Sequence, residues 1–582
     1  MSSKARDIAD RTLDGTDLTL GDNDKAVFGD GSDLQIYHDG TSSFIHDNGT
    51  GNLRLRGSNV GIESNQSHDI LTGVEGAEVA LYYNNAAKLA TTSTGVDVTG
   101  TLVSDGLDVD GSVKLNGNYP AGTANVALGE GSFAGSLSGS SNVAIGYQSA
   151  YSLQSGSANT FAGRGSGFSN TTGANNTALG YTALASNTTA SANVAVGYKA
   201  LYTNNNNYNT AVGGGFPGIV SGALESNTTG TQNVAVGSGA GGSTTTGSYN
   251  TVMGVNALVS NTVGSYNVAV GSATLNQNTA SSNTAVGYQA AYSSTPGSNT
   301  NAIGYAARYP TTPGSYNVSL GNLALKSNQI GNTNTAVGAL ALLNNTASNN
   351  TAVGQGAMYA NTTGTSNVAL GGGYYGVSQG ALSSNTTGSA NTALGFRALI
   401  SNTTGNNNTA VGYHAGYYNT GSYNTFVGTD AGLSNSSSAA NNFFGWKSGY
   451  NSTGGFNTFM GHAAGHDVTT GSGNTFIGSN QVGSVGAGYY MTTGSKNTIL
   501  GGFSGNQGGL DIRTSSNNIV LSDGDGNVRL WANSVGQVAF QETSVGALFT
   551  DGYQGVGVSG TGGYLMASRF NDTCAFFKRE NS

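Results

Sequence analysis

Glu225, Asp430 and Asp467 are the only acidic side chains between residues 131 and 480, and they stand far apart in the chain. Hydrolysis of a glycosidic bond calls for two carboxyl groups flanking it, and no two of these acids are neighbours. His462, His466 and Asp467 come closest to a cluster, at i, i+4 and i+5. On a helix that spacing would bring both imidazoles to one face, as a metal ion requires; on a β-coil it does not. Asp105, Asp108 and Asp110 lack the ligand spacing of a calcium loop and read as turn residues. Cys574 is the single cysteine, so no disulfide forms within the chain. Asn-x-Thr triplets abound, but they are what a turn-rich composition produces. The expectation is a chain with no catalytic centre, no metal and no cofactor.

The chemistry that remains is aromatic. Phe216, Tyr374, Tyr375, Tyr489 and Tyr490 fall on three insertions in an otherwise regular pattern, and Tyr553 and Tyr564 lie near the C-terminus. Binding residues concentrate on loops that a rigid scaffold displays, so these seven are the candidate receptor-contacting residues. Tyr147, Tyr181, Tyr198, Tyr288, Tyr305 and Tyr413 each follow the glycine of a repeat. They either stack on sugars or pack between coils.

The scaffold is set by a phrase, Asn-Thr/Val-Ala-Val-Gly, that returns every 16 or 17 residues from Gly129 to Gly501, 22 times in all. Only three intervals are longer, those opening at Gly213, Gly371 and Gly478. So short a unit has no partner for its own apolar face and must stack on copies of itself, which predicts a β-solenoid of about 22 coils. Numbered from the glycine, position −1 is apolar and −3 is usually Thr or Val, so the two share a strand face while Ala at −2 points to the other. The expectation is that −1 and −3 form the core of the coil, that small Ala admits another chain, and that each coil holds two short strands and two turns. The Asn at −4 is expected to form a ladder, each amide bonding the next.

Composition narrows the class further. Only 8% of residues are charged and 94 are glycine. Residues 131–480 hold nine charged side chains, whereas residues 1–130 carry 19 acids and 8 bases. A surface so poor in charge is expected to be covered by identical chains or to be paired polar backbone. No basic stripe exists for nucleic acid, and no run of about 18 apolar residues spans a membrane. Four segments follow: a tail at 1–17, a β-rich segment at 18–118, the repeat rod at 119–505 and a C-terminal cap or tip at 506–582.

The phrase Asn193-Val194-Ala195-Val196-Gly197-Tyr198-Lys199-Ala200 resembles the head repeat of trimeric autotransporter adhesins, a parallel β-roll wound into trimers. Those adhesins carry a secretory signal and a C-terminal membrane anchor, neither of which is expected here. Leu34-Gln35-Ile36-Tyr37-His38-Asp39-Gly40, the tract from Lys88 to Val98, and Tyr564-Leu565-Met566-Ala567-Ser568-Arg569 are similar to bacteriophage tail fibres, marine ones especially. That resemblance implies a homotrimer in the virion tail, docked through its N-terminus on a tail or adaptor protein. It also implies adsorption to a host glycan or outer-membrane receptor, and a C-terminal chaperone cut off after Ser582. The alternatives are a polysaccharide-depolymerising tailspike, a bacterial trimeric surface adhesin and, less favoured by the pattern, an ice- or mineral-binding solenoid.

Overall fold

Each coil lays down one three-residue strand, and the strands pair in parallel from Val126–Leu128 through 22 coils to Thr498–Leu500. The computed structural model describes residues 20–99 and 123–540 with short interruptions (51, 58, 64–68, 75–78, 84–85, 93–94, 136, 294–296, 310–313, 375–378, 481–484 and 537). It also describes the backbone of three strands between Gly555 and Lys578. Among these residues the fold is all β, with no helix. At about 4.8 Å per coil the 22 strands stack to a height on the order of 100 Å.

The inside and the outside of the coil are the reverse of the sequence expectation. Ala at −2 is the inward residue: Ala195, Ala211, Ala235 and Ala269 are all fully buried. Positions −1 and −3 face outward: Leu179, Met253, Leu320 and Leu370 at −1 and Val234 and Val368 at −3 are each 38–46% exposed. The cause lies across the coil. Residues +3 and +4 both point inward, Ala183 with Leu184 and Ala200 with Leu201, all fully buried. Adjacent residues of a strand cannot do this. They do it here because +2 and +4 sit at positive φ, Thr182 at 49° and Leu184 at 55°. The second strand expected in each coil is therefore a run of turns, and the interior it leaves takes a small residue opposite Leu, Ala in most coils and Val252 opposite Leu258.

Five coils solve the same space differently. Where −2 is Phe161, Phe426, Phe443 or Phe459, +4 is Gly (Gly167, Gly432, Gly449, Gly465), and opposite Phe476 the same place is taken by Gly488, beyond the third insertion. A Cβ on Gly449 would lie 2.5 Å from the Phe443 ring. Phe443, Phe459 and Phe476 stack at 4.8 Å steps, making a continuous aromatic spine. The repeat glycine is also needed for close approach, since a Cβ on Gly129 would meet the Gly146 carbonyl oxygen at 2.6 Å.

The Asn ladder forms as expected. Asn250 Nδ2 donates to Asn233 Oδ1 at 3.0 Å and to the Gly264 carbonyl at 3.0 Å, while Asn250 Oδ1 accepts the Asn267 backbone N–H at 3.0 Å. Thr300 interrupts it. There Arg308, buried at a position usually held by Leu, donates through Nη1 to Thr300 Oγ1 at 2.5 Å and through Nη2 to the Gly314 carbonyl. Burial lowers the Arg308 pKa to about 10. Because each rung satisfies buried groups on both neighbouring coils, Asn250→Ala should cost about 2–4 kcal/mol. Hydrogen exchange of amides 233–271 reads this as a local loss of protection; unchanged protection there would mean that the ladder carries no stability.

The chain divides into two units, 1–114 and 115–582. The first holds two antiparallel sheets. Lys25–Phe28, Leu34–His38 and Ser43–Asp47 form one. Asn59–Glu63, Asp69–Val74, Val79–Tyr83, Ala86–Thr92 and Gly95–Val98 form the other, as a meander. Its only buried apolar side chains among the described residues are Ala80 and Ala90, while Phe28, Ile45, Ile62 and Val96 are more than half exposed. In the second unit Ile519–Ser522 adds one more parallel strand after Thr498–Leu500. Val528–Ala532 and Val538–Phe540 then pair antiparallel, which ends the solenoid, and Gly555–Ser559, Tyr564–Ser568 and Phe576–Lys578 continue that sheet. Leu510, Ile512, Val520 and Val528 close the core at this end.

Candidate functional site

The first insertion makes a shaped site. Phe216-Pro217-Gly218-Ile219 is a tight turn, with Pro at its second position, Gly218 at φ 77° and the Ile219 N–H bonded to the Phe216 carbonyl at 3.0 Å. The Phe216 N–H donates to the Val220 carbonyl at 2.8 Å, so the loop doubles back on itself. A loop pinned in this way holds Phe216 outward, 63% exposed, and Ile219 76% exposed. Beneath it lies a cavity of about 250 Å³ bounded by Tyr198, Lys199, Phe216, Val220, Ser221 and Glu225.

Two charges meet at this cavity. Lys199 Nζ stands 3.4 Å from Glu225 Oε1, and Glu225 Oε2 accepts the Gly222 N–H at 2.7 Å. The carboxylate beside it raises the pKa of Lys199. The ammonium also lies over the rings of Tyr198 and Tyr202, 5.7 and 5.3 Å from their centroids. Neither charge was a candidate in the sequence. A signal for them existed: only three of the 22 repeat glycines precede an aromatic followed by Lys or Arg, giving Tyr198-Lys199, Phe396-Arg397 and Trp446-Lys447.

The second insertion has related ingredients. Tyr374 is 70% exposed and packs edge-on against Phe396, 5.3 Å between centroids. Arg397 lies over the Phe396 ring at 5.0 Å. Tyr413 stacks on Phe396, and His414 Nδ1 is 3.5 Å from Asp430 Oδ1. Burial pushes the His414 pKa below its ordinary 6.5, with Asp430 opposing the shift and Arg397 adding to it. Since the folded value is depressed, the unfolded chain binds the proton first. Stability from this group is complete above pH 6.5 and falls as pH drops through the lowered folded value. Thermal loss of structure should therefore begin at a lower temperature at pH 5 than at pH 7.5, and His414→Gln should shrink that difference.

At the third insertion Tyr490 is exposed, but Tyr489 is a packing residue. His466 is held between Tyr450 and Tyr489, with centroids at 5.0 and 4.6 Å, and its Nδ1 is 2.7 Å from Asp467 Oδ1. His462 stacks instead on Trp446. The tyrosines after the repeat glycine both stack and remain accessible: Tyr181 and Tyr198 are 5.4 Å apart, Tyr288 and Tyr305 5.6 Å, with Tyr181 43% exposed.

The described candidates Phe216, Tyr374, Tyr489 and Tyr490 thus lie on three separate insertions and are not gathered into one site. Tyr564 lies in a strand of the C-terminal sheet. Tyr375, Tyr553, Asp105, Asp108, Asp110, Ser582 and the tail at 1–17 fall outside the described residues. A further cleft of about 470 Å³, unforeseen from sequence, is bounded by Leu510, Asp511, Ser515, Asn518, Trp531 and Asn533. Trp531 Nε1 donates there to Asn518 Oδ1 at 3.2 Å. No protein-family model, no curated protein and no solved structure matches this chain.

Proposed function

We propose that this chain is the subunit of a homotrimeric bacteriophage tail fibre that binds the host-cell surface through its insertion loops. The carrying observation is the outward face of the solenoid sheet. Position −1 is apolar on all 22 strands, and neither −1 nor −3 is charged on any of them. Leu128, Met253, Leu320, Leu370, Leu394 and Leu500 along this row are 38–46% exposed, a continuous apolar row of the kind that monomers rarely leave to water. Covering it with copies of itself accounts for the missing charge without a further partner. The expectation that Ala lines the contact between chains gives way to one in which the −1 and −3 residues do.

The N-terminal unit supports the same reading. Among the described residues its three- and five-stranded sheets bury almost nothing apolar, so they lack the packed hydrophobic face that independent stability needs. Apposed copies give them a core. The number three comes from the resemblance to trimeric fibres and adhesin heads.

Binding, as opposed to catalysis, is supported by the engagement of the acids. Glu225 is held by Lys199 and the Gly222 N–H, Asp430 faces His414, and Asp467 bonds His466. Weak loop contacts repeated over three chains would give avidity. The test is retention of fluorescently labelled chain on sedimented bacterial cells, from a panel that includes cyanobacteria. Retention that drops at least tenfold in Phe216→Ser/Tyr374→Ser supports the proposal; a chain that stays in the supernatant with every cell type contradicts it.

A further inference from the structure

We infer that the cavity beneath the first insertion binds one uncharged pyranose ring of a glycan, with Phe216 and Tyr198 as its apolar platform and Lys199 and Glu225 as its hydroxyl-reading pair. This rests on the recognition part of the proposed function and names the ligand class for one site.

The charges point to it first. Residues 131–480 hold nine charged side chains, and two of them meet across a chain separation that only the solenoid brings together. A pair needed merely for stability is hard to justify at a partly exposed position, where an ion pair adds little. As a recognition device it is well matched. An ammonium and a carboxylate oxygen 3.4 Å apart present a donor beside an acceptor, which is the pattern that two vicinal hydroxyls complement, one accepting and one donating. The pair is neutral as a unit. An anionic sugar would lie against Glu225 and a cationic one against Lys199, so the match is to a neutral polyol.

Shape agrees with charge. The cavity of about 250 Å³ is at the small end for ligand sites, which suits a single ring and not an extended polymer. The Pro217-Gly218 turn fixes Phe216 before the ligand arrives, so little ordering entropy opposes binding. An exposed ring on a pinned loop has no packing role at this position, since 63% of its surface faces solvent. Apolar C–H faces of a pyranose supply what that ring lacks.

Saturation-transfer NMR on the full chain tests this, using the methyl glycosides of glucose, galactose and mannose as neutral probes. N-acetylneuraminic acid and glucosamine serve as the charged ones. The expected result is transfer to at least one neutral glycoside, reduced fivefold or more in both Phe216→Ser and Glu225→Gln and unchanged in Tyr374→Ser. Glu225→Gln keeps the shape and a hydrogen-bonding amide, so a loss there reads the charge pair and not a collapsed loop. Transfer to the charged sugars alone, to none of the probes, or equally in all variants would overturn the inference. Light-scattering mass, measured on the same samples, separates the two readings. A trimer without transfer defeats the site and leaves the fibre, whereas a monomer with transfer defeats the fibre and supports the site.

Discussion

Met253→Asp/Leu320→Asp/Leu370→Asp is expected to turn the proposed trimer into a monomer, with the molar mass falling threefold to 58.3 kDa. These side chains occupy −1 of three well-separated coils and are 46%, 42% and 45% exposed in the single chain. A carboxylate there is solvated in the free chain, so folding of the coil itself should be little affected. In the assembly each would be taken from water without a partner, at an effective cost of several kcal/mol per ion. Three chains would bring nine such groups into the shared interface. The control is Ile330→Asp, which places the same charge on a turn that is 66% exposed and away from the stripe. It should leave the trimer intact. Equal masses for the two variants would show that the stripe does not hold the chains together.

Gly449→Leu should cost about 3–5 kcal/mol, since overpacking and a left-handed backbone act together. Gly449 sits at φ 60° with the Phe443 ring where its Cβ would go. Phe443→Ala alone should cost a similar amount through the cavity it leaves. The pair is informative because other coils carry the opposite solution, as Ala178 with Leu184 does. Phe443→Ala/Gly449→Leu rebuilds that arrangement, so the double variant should be more stable than either single one. Local hydrogen exchange over residues 426–478 is the appropriate readout, because long repeat arrays do not unfold in two states. A double variant that merely sums the two losses would mean that the positions do not share one space.

The period, the all-β class and the Asn ladder were legible in the sequence because each is fixed by recurrence alone. A residue that returns at −4 in nearly every coil must meet its own copy when the coils stack. Which strand face points inward was not legible. Alternation shows that Val194 and Val196 share a face and Ala195 takes the other, but not which face is enclosed. That depends on how much room the far side leaves, and there Ala200 and Leu201 both point in because Lys199 and Leu201 adopt positive φ, at 55° and 51°. No propensity favours that backbone for Lys or Leu. The pairing of Phe161 with Gly167, repeated by Phe426 with Gly432, was a clue that −2 and +4 share one volume. At the first insertion Phe216 stood out by type, whereas Lys199 and Glu225 became a pair only once the loop between them had folded back.

The most direct test of the account is the molar mass of the purified full chain in solution by multi-angle light scattering. The trimer requires three times 58.3 kDa, held on dilution to nanomolar concentration as a large apolar interface demands. A stable species at 58.3 kDa would leave the uncharged stripe exposed in the working molecule and would contradict the fibre.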